Sequence, residues 1–360
     1  MSVQVSYKKQ FLFGLILLLM MLSVIEISMK IYDHYVPNCR FIESDVYSEK
    51  SFAEKRDICN DNSKLVWNNE PLYLIPNQHF TTININSDGF RGNEIQENSD
   101  YRIFLIGGST TFGVGATSDY STIPGYLQQF YDEQFPDKKI EVINAGIPGA
   151  YSYTEKYLIE NTLLNYNPDL LVIYDGWNDV LRNYEQYYSS GDVGFTAQLI
   201  RETYRTDITT PKVLVKSYFS YKDNTVEIFP FNSKMMDEKV SLWVKSWKSI
   251  CELQEKHDFK TILILQPILG TGNKILSVEE QKNAAHYDTE NRNQNYERYA
   301  NYLDELNSTC ITSFDLRNGF DSHSETIYFD GGHVGDSGNE IIADKIYEKI
   351  LPTVLEDLSK

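Results

Sequence analysis

The sequence predicts an α/β fold in which a parallel β-sheet is covered by helices on both faces. From Tyr101 onward, short apolar runs alternate with amphipathic stretches of helical period, a pattern typical of strands joined by crossover helices. The apolar runs number five, and 41% of the 360 residues are hydrophobic, which is ample for a sizeable core. We therefore expect a flavodoxin-like three-layer sandwich with a five-stranded parallel sheet, plus an N-terminal transmembrane helix.

The predicted elements follow in chain order. The strands are short apolar runs, and they cover residues 102–106, 140–144, 169–174, 261–266 and 309–316. The helices between them have an apolar stripe, and they lie near residues 122–135, 152–165, 237–257 and 288–307. A last helix is predicted from about Ser337 to Leu351, with Pro352 marking its end.

Other segments lie outside this alternation. Residues 181–236 are too long for one connection and are predicted to be an insertion near the functional face, such as a lid. A smaller insertion is predicted around residues 270–289. Upstream, residues 80–86 (FTTININ) alternate as a strand does and precede a Ser-Asp-Gly turn. We divide the chain into a cytoplasmic N-terminus (1–10), a transmembrane signal anchor (11–31), a juxtamembrane region (32–100) and an α/β domain (101–360).

The N-terminal segment predicts membrane attachment. Lys8 and Lys9 precede a nearly unbroken apolar run from Phe11, and with Glu26 near the interface the span could extend to Ile31, which gives the roughly 20 residues that a bilayer requires. A cleaved signal peptide and a buried core helix are the alternatives. No small-residue cleavage site follows the run, and a core helix is rarely so uniformly apolar. The preceding lysines favour a cytoplasmic N-terminus, so a single-pass protein of the cell membrane is expected, with an extracytoplasmic domain.

Charge and cysteine content exclude some functions and leave one question open. A formal net charge of −18 repels the phosphate backbone of nucleic acids, so no nucleic-acid partner is expected. The four cysteines form no C-x-x-C pair, so no structural zinc site is expected. Cys251 and Cys310 lie in apolar-periodic stretches and are predicted to be buried thiols. Cys39 and Cys59 could form a disulfide if their segment is extracytoplasmic.

The loops after the strands contain the residues that could perform chemistry, because ligands bind at the carboxyl edge of such sheets. The first strand ends in Gly-Gly-Ser-Thr, where Ser109 could be a nucleophile beside the amides of a new helix, or simply a helix cap. No G-x-G-x-x-G or Gly-Lys-Ser/Thr motif occurs here. Gly146 after the second strand could present an unhindered N–H or form an ordinary turn. Asn178 after the third strand could direct its amide at the same point or cap the following helix.

The C-terminal segment Asp-Gly-Gly-His supplies a candidate base. An imidazole titrates near neutral pH, so His333 is suited to accept a proton. Asp330, three residues earlier, could accept the Nδ1 proton and fix the tautomer. A solvated loop histidine is the alternative. Among the other histidines, His323 is the serious competitor because Asp321 is two residues away.

These four segments, in this order, resemble the SGNH/GDSL hydrolase family. The resemblance covers about residues 101–351 and makes 101–360 an SGNH-type hydrolase domain. It implies that Ser109 is the nucleophile, that Gly146 and Asn178 line the oxyanion hole, and that Asp330 and His333 of the D-x-x-H block complete the catalytic triad. Residues 86–92 (NSDGFRG) are similar to a segment found ahead of the first block in membrane-anchored relatives. The chain departs from the family at Gly108, where an aspartate often precedes the serine.

The resemblance implies a serine esterase without metal or cofactor. Its substrate would be an ester of an extracytoplasmic glycan or lipid, such as an O-acetyl ester. The same groups could instead transfer an acyl group to a surface glycan, or the domain could be an inactive glycan-binding module. Phe112, Tyr174 and Trp177 lie near the predicted site and could line an acyl or sugar pocket, although core packing is the simpler role for Tyr174.

Overall fold

The computed structural model describes residues 6–36, 42–69, 71–181, 203, 206–222, 233–309 and 311–360. Its helices are α1 (Tyr7–Tyr35), α2 (Phe52–Lys64), α3 (Ser109–Phe112), α4 (Ile123–Gln134), α5 (Ser152–Asn161), α6 (Trp177–Leu181), α7 (Thr209–Lys222), α8 (Ser233–Lys248), α9 (Ile250–His257), α10 (Val278–His286), α11 (Thr289–Ala300), α12 (Leu303–Asn307) and α13 (Asp336–Leu358). Its strands are β1 (Trp67–Asn69), β2 (Leu72–Leu74), β3 (Gln78–His79), β4 (Asn84–Ile85), β5 (Tyr101–Gly107), β6 (Ile140–Gly146), β7 (Leu170–Asp175), β8 (Lys260–Leu265) and β9 (Thr312–Asp315).

The chain forms two compact units. The smaller one combines Met1–Cys39 with Val193–Thr225, and its described helices are α1 and α7. Within the described part of the chain, α1 is the one helix long and apolar enough to cross a membrane, and none of its residues is buried. Its 29 residues correspond to a length of about 43 Å at 1.5 Å per residue. The larger unit, Arg40–Asp192 with Val226–Lys360, contains the sheet.

The sheet of the larger unit has five parallel strands in the order β6-β5-β7-β8-β9. This is the flavodoxin-like order, in which the first strand lies between the second and the third. All five predicted strands are present within a few residues of their expected positions, so the predicted fold class is confirmed. In the aligned register, Gly107 at the end of β5 lies opposite Gly146 on one side and Tyr174 on the other.

Both faces of the sheet are covered, which accounts for the apolar runs in the sequence. Side chains alternate along each strand, so Phe104 and Ile106 contribute to one core cluster while Ile103 and Leu105 contribute to the other. All four are fully buried. Part of the predicted juxtamembrane region joins the first cluster, for example through Ile85.

Two predicted elements differ from the structure. Residues 80–86 do not form one strand, because residues 80–83 are the turn between β3 and β4 of a hairpin. Asp61 accepts hydrogen bonds from the N–H and hydroxyl of Thr82 and holds this turn in place. The last helix does not end at Pro352 but continues to Leu358. Pro352 removes one helical hydrogen bond, and the fully buried Val354 on the following turn keeps the helix packed on the core.

The cysteines also differ from expectation. Cys251 is disulfide-bonded, so the prediction of a buried thiol is wrong there, and Cys59 is disulfide-bonded as well. Cys39 and Cys310 lie outside the described residues, so the Cys39–Cys59 pairing stays a prediction. Most of the predicted lid insertion also lies outside the described residues.

Candidate active site

The turn after β5 places a serine hydroxyl at the edge of the sheet. The chain leaves β5 at Gly107, and Ser109 is the first residue of α3. A side chain at Gly107 would meet the Thr111 hydroxyl at 2.2 Å and the Tyr174 carbonyl at 2.4 Å, so this sharp turn requires a glycine. The N–H groups of a first helical turn have no partner within the helix. Ser109 is therefore a partly exposed residue at the N-terminus of α3, where backbone N–H groups have no helical partner.

Arg91 stabilises this turn through hydrogen bonds to the C-terminal end of α3. Its buried guanidinium donates to the carbonyls of Phe112 and Gly113, at 3.1 and 2.8 Å, where α3 ends. It also donates to the Thr82 carbonyl at 2.7 Å and pairs with Asp119 at 2.8 Å. A cation at a helix C-terminus satisfies carbonyls that have no helical partner. The NSDGFRG segment thus fixes the element that bears Ser109, a role that the sequence did not reveal.

The C-terminal loop brings an imidazole to the serine. His333 Nε2 lies 2.7 Å from Ser109 Oγ, and His333 Nδ1 lies 2.8 Å from Asp330 Oδ2. The other oxygen of Asp330 accepts the backbone N–H groups of Gly332 and His333, at 3.0 and 2.8 Å. An ionised carboxylate only accepts hydrogen bonds, so Asp330 fixes the proton on Nδ1 and leaves Nε2 to accept the serine proton.

Aromatic rings hold the imidazole in place. The ring of Phe329 stacks on His333 with an interplanar angle of 7°, and Trp177 contacts it edge to face at 4.7 Å between centroids. A Cβ at Gly332 would lie 2.5 Å from the Trp177 ring, so this glycine allows the close approach. Trp177 therefore packs on the imidazole. Of the other predicted pocket aromatics, Phe112 and Tyr174 are buried in the core.

Asn178 lies against the same turn. Its amide nitrogen donates to the Ala150 carbonyl at 2.7 Å and would lie only 2.3 Å from a Cβ at position 108. An amide has two N–H groups, so the contact with Ala150 accounts for one of them. Gly108 is the position at which the chain departs from the family pattern. Because it has no side chain, it leaves room for the amide of Asn178.

The structure places Gly146 differently from the other predicted site residues. It is the last residue of β6, and its N–H donates to the side chain of Asn144 at 3.0 Å. A Cβ there would meet the Phe112 backbone nitrogen at 2.2 Å. The glycine is thus required for close packing of β6 against α3, while its N–H is already engaged.

Buried polar groups fix the short helix α6 that presents Asn178. Asp179 accepts hydrogen bonds from the N–H and hydroxyl of Ser152, at 3.0 and 2.5 Å, which ties α6 to α5.

Burial and the neighbouring Asp179 raise the pKa of the Asp175 carboxyl well above its ordinary value. Lys239 donates to the Val180 carbonyl at 2.7 Å, and burial lowers the pKa of its amine to about 8.

The competing histidine forms a different contact. His323 Nδ1 lies 2.9 Å from Glu325, at the protein surface. Asp321 instead accepts the backbone N–H of Asn273 at 2.7 Å. The competing Asp321–His323 pair is therefore not formed, and the imidazole that contacts Ser109 is that of His333.

Comparison with known proteins identifies the family. The model of the GDSL-like lipase/acylhydrolase family matches residues 105–341, so the chain belongs to that family and is a hydrolase that acts on ester bonds. A comparison with curated protein sequences gave no match.

Solved structures with a similar fold include three esterases or hydrolases. The acetyl xylan esterase AlAXEase is 19% identical with a TM-score of 0.41, over 69% of this chain and 99% of that one. Axe2, an acetylxylan esterase from Geobacillus stearothermophilus, is 16% identical with a TM-score of 0.42, over 71% and 96%. LAE5, an α/β hydrolase from the metagenome of Lake Arreo, is 14% identical with a TM-score of 0.42, over 69% and 94%.

Proposed function

We propose that the protein is a membrane-anchored serine esterase with a Ser109–His333–Asp330 catalytic triad. The observation that supports this most directly is the pair of hydrogen-bond distances, 2.7 Å from serine to imidazole and 2.8 Å from imidazole to carboxylate. Both lie in the range required for a nucleophile, its base and the group that orients the base.

The reaction proceeds in two acyl-transfer steps. Ser109 Oγ attacks the ester carbonyl while its proton passes to His333 Nε2, and the resulting imidazolium is stabilised by Asp330. The imidazolium then protonates the leaving alkoxide, which departs as the alcohol. A water molecule gives a proton to His333 and attacks the acyl-serine, and collapse of the second tetrahedral intermediate releases the carboxylic acid and returns the proton to Ser109.

The negative charge of each tetrahedral intermediate requires fixed donors. We propose that the Ser109 N–H and the second N–H of Asn178 supply two of them, because both lie beside the nucleophile. Gly146 remains the third proposed donor, and its N–H would have to leave Asn144 to serve.

Two features support the proposed cellular location. The disulfide bonds at Cys59 and Cys251 are typical of an oxidising compartment. Lys8 and Lys9 lie in the first turn of α1, ahead of its apolar run, which favours an N-terminus that stays in the cytoplasm. We therefore place α1 in the cell membrane and the hydrolase unit outside, where glycan and lipid esters are the available substrates.

A substrate series tests this function. The purified full-length protein is assayed on aryl esters of increasing acyl length and on O-acetylated glycans, each with and without excess sugar acceptor. Hydrolysis of acetyl esters alone would identify a deacetylase, and hydrolysis of long chains a lipid esterase. An acylated sugar as the main product would identify a transferase. Failure to cleave any ester, with Ser109→Ala as the blank, would refute the proposal.

A further inference from the structure

The smaller unit contains an acidic side chain within the predicted membrane span. Glu26 lies 15 residues, or about 22 Å, beyond the start of the apolar run and about 7 Å before its expected end at Ile31. A carboxylate at that depth is costly unless it has polar partners. Lys30, one turn on, is one such partner at 3.8 Å and is mostly exposed.

The stronger partner of Glu26 is the beginning of α7. Its two oxygens accept the backbone N–H groups of Thr209 and Thr210, at 2.6 and 3.0 Å, and the Thr210 hydroxyl at 2.8 Å. These are donors that the first turn of a helix leaves unsatisfied, and a negative charge there is favourable. The contact is long-range, because Thr209 and Thr210 follow Glu26 by 183 and 184 positions in the sequence.

The composition of α7 differs from that of the whole chain. In a protein of net charge −18, residues 209–222 include three lysines and no acidic residue. Val213 is buried within the unit, while Leu214 and Tyr218, one turn apart on another face, are each 59% exposed. A basic helix with an exposed apolar face is typical of segments that lie in the interface of an anionic bilayer.

We propose that α7 is a second membrane-contacting element, which lies at the bilayer surface and is joined to the anchor by Glu26. Leu214 and Tyr218 enter the acyl region, and the positive charge of α7 attracts it to anionic phospholipid headgroups. Because Glu26 lies just inside the end of the span, its contact fixes the beginning of α7 at the depth of the interface. This inference rests on the membrane location proposed above for α1.

Fluorescence quenching in nanodiscs that contain phosphatidylglycerol tests the proposal. An environment-sensitive dye is attached to single new cysteines in the full-length protein, Leu214→Cys and Tyr218→Cys, with Lys212→Cys as the control on the charged side. We expect lipid-borne quenchers to reduce the signal at 214 and 218 at least twofold more than at 212, and iodide to do the reverse. Equal access of iodide to all three positions would overturn the proposal.

Variants of α1 test the joining contact. Glu26→Ala should lower lipid quenching at position 214, whereas Lys30→Ala, which removes the more exposed partner, should leave it unchanged. Unchanged quenching in Glu26→Ala would overturn the role of Glu26.

A dye at Leu17→Cys separates this inference from the proposed location. If position 17 is quenched by lipid and position 214 is not, α1 spans the membrane and only the role of α7 fails. If neither is quenched, the membrane location fails as well. Ester hydrolysis measured in the same nanodiscs reports on the catalytic proposal independently of both.

Discussion

Replacement of Asp330 by asparagine reverses one hydrogen bond of the site and preserves the rest. The carbonyl oxygen of the new side chain can still accept the N–H groups of Gly332 and His333, so the loop should keep its shape. The amide nitrogen then takes the place of the oxygen that lies 2.8 Å from Nδ1. It can only donate, so Nδ1 must accept and the imidazole proton moves to Nε2.

A proton on Nε2 prevents His333 from accepting the proton of Ser109. In serine proteases, the equivalent change of tautomer lowers kcat by about 10⁴-fold. We expect a loss of the same order here, which corresponds to about 5.4 kcal/mol of transition-state stabilisation. KM should change little because Asp330 is buried and acts on the reaction through the imidazole of His333.

The assay is steady-state hydrolysis of a small aryl acetate by Asp330→Asn, alongside its melting temperature. Asp321→Asn is the matched control, since it makes the same change beside the competing His323, and it should retain activity within about twofold. If Asp330→Asn folded normally and kept more than a tenth of the parental kcat, the proposed role of the carboxylate would be wrong.

Three further variants test other parts of the molecule. Asn178→Ala should lower kcat by about 10²- to 10³-fold with little change in KM, as measured by steady-state kinetics, because it removes a transition-state donor; equal losses in binding and turnover would contradict this. Arg91→Met should lower the unfolding free energy in urea by about 3–5 kcal/mol, because it removes the ion-pair partner of Asp119 and a donor to buried carbonyls; a change under about 1 kcal/mol would refute the role of the guanidinium. Lys239 has a folded pKa of about 8, below its unfolded value, so parental stability should rise by up to about 1.4 kcal/mol per unit from about pH 8 to 9.5, and Lys239→Met should lack this rise.

The sequence predicted the sheet well because its strands are buried on both faces. A strand such as β7, in which every residue is buried, must be apolar throughout, and such short runs are visible without a structure. The Asp330–His333 pair was also predictable, because three residues of a glycine-containing turn are enough to bring the two side chains together.

The features that the sequence did not predict depend on contacts between distant segments. Asp61 holds residues 80–83 as the turn of a hairpin, and nothing near that segment indicates this partner. The disulfide bond of Cys251 likewise depends on how the chain folds in space. In each case, an interaction across the fold overrides a plausible local pattern.

The reactivity of Ser109 toward a fluorophosphonate tests the central claim most directly. The probe requires a serine hydroxyl activated by a base, so we predict that intact mass and peptide mapping will show one adduct, at Ser109, in the folded full-length protein. The adduct should be absent from Ser109→Ala and from protein unfolded before the probe is added. An adduct at another residue, or none in a correctly folded sample, would contradict the assignment of Ser109 as the nucleophile.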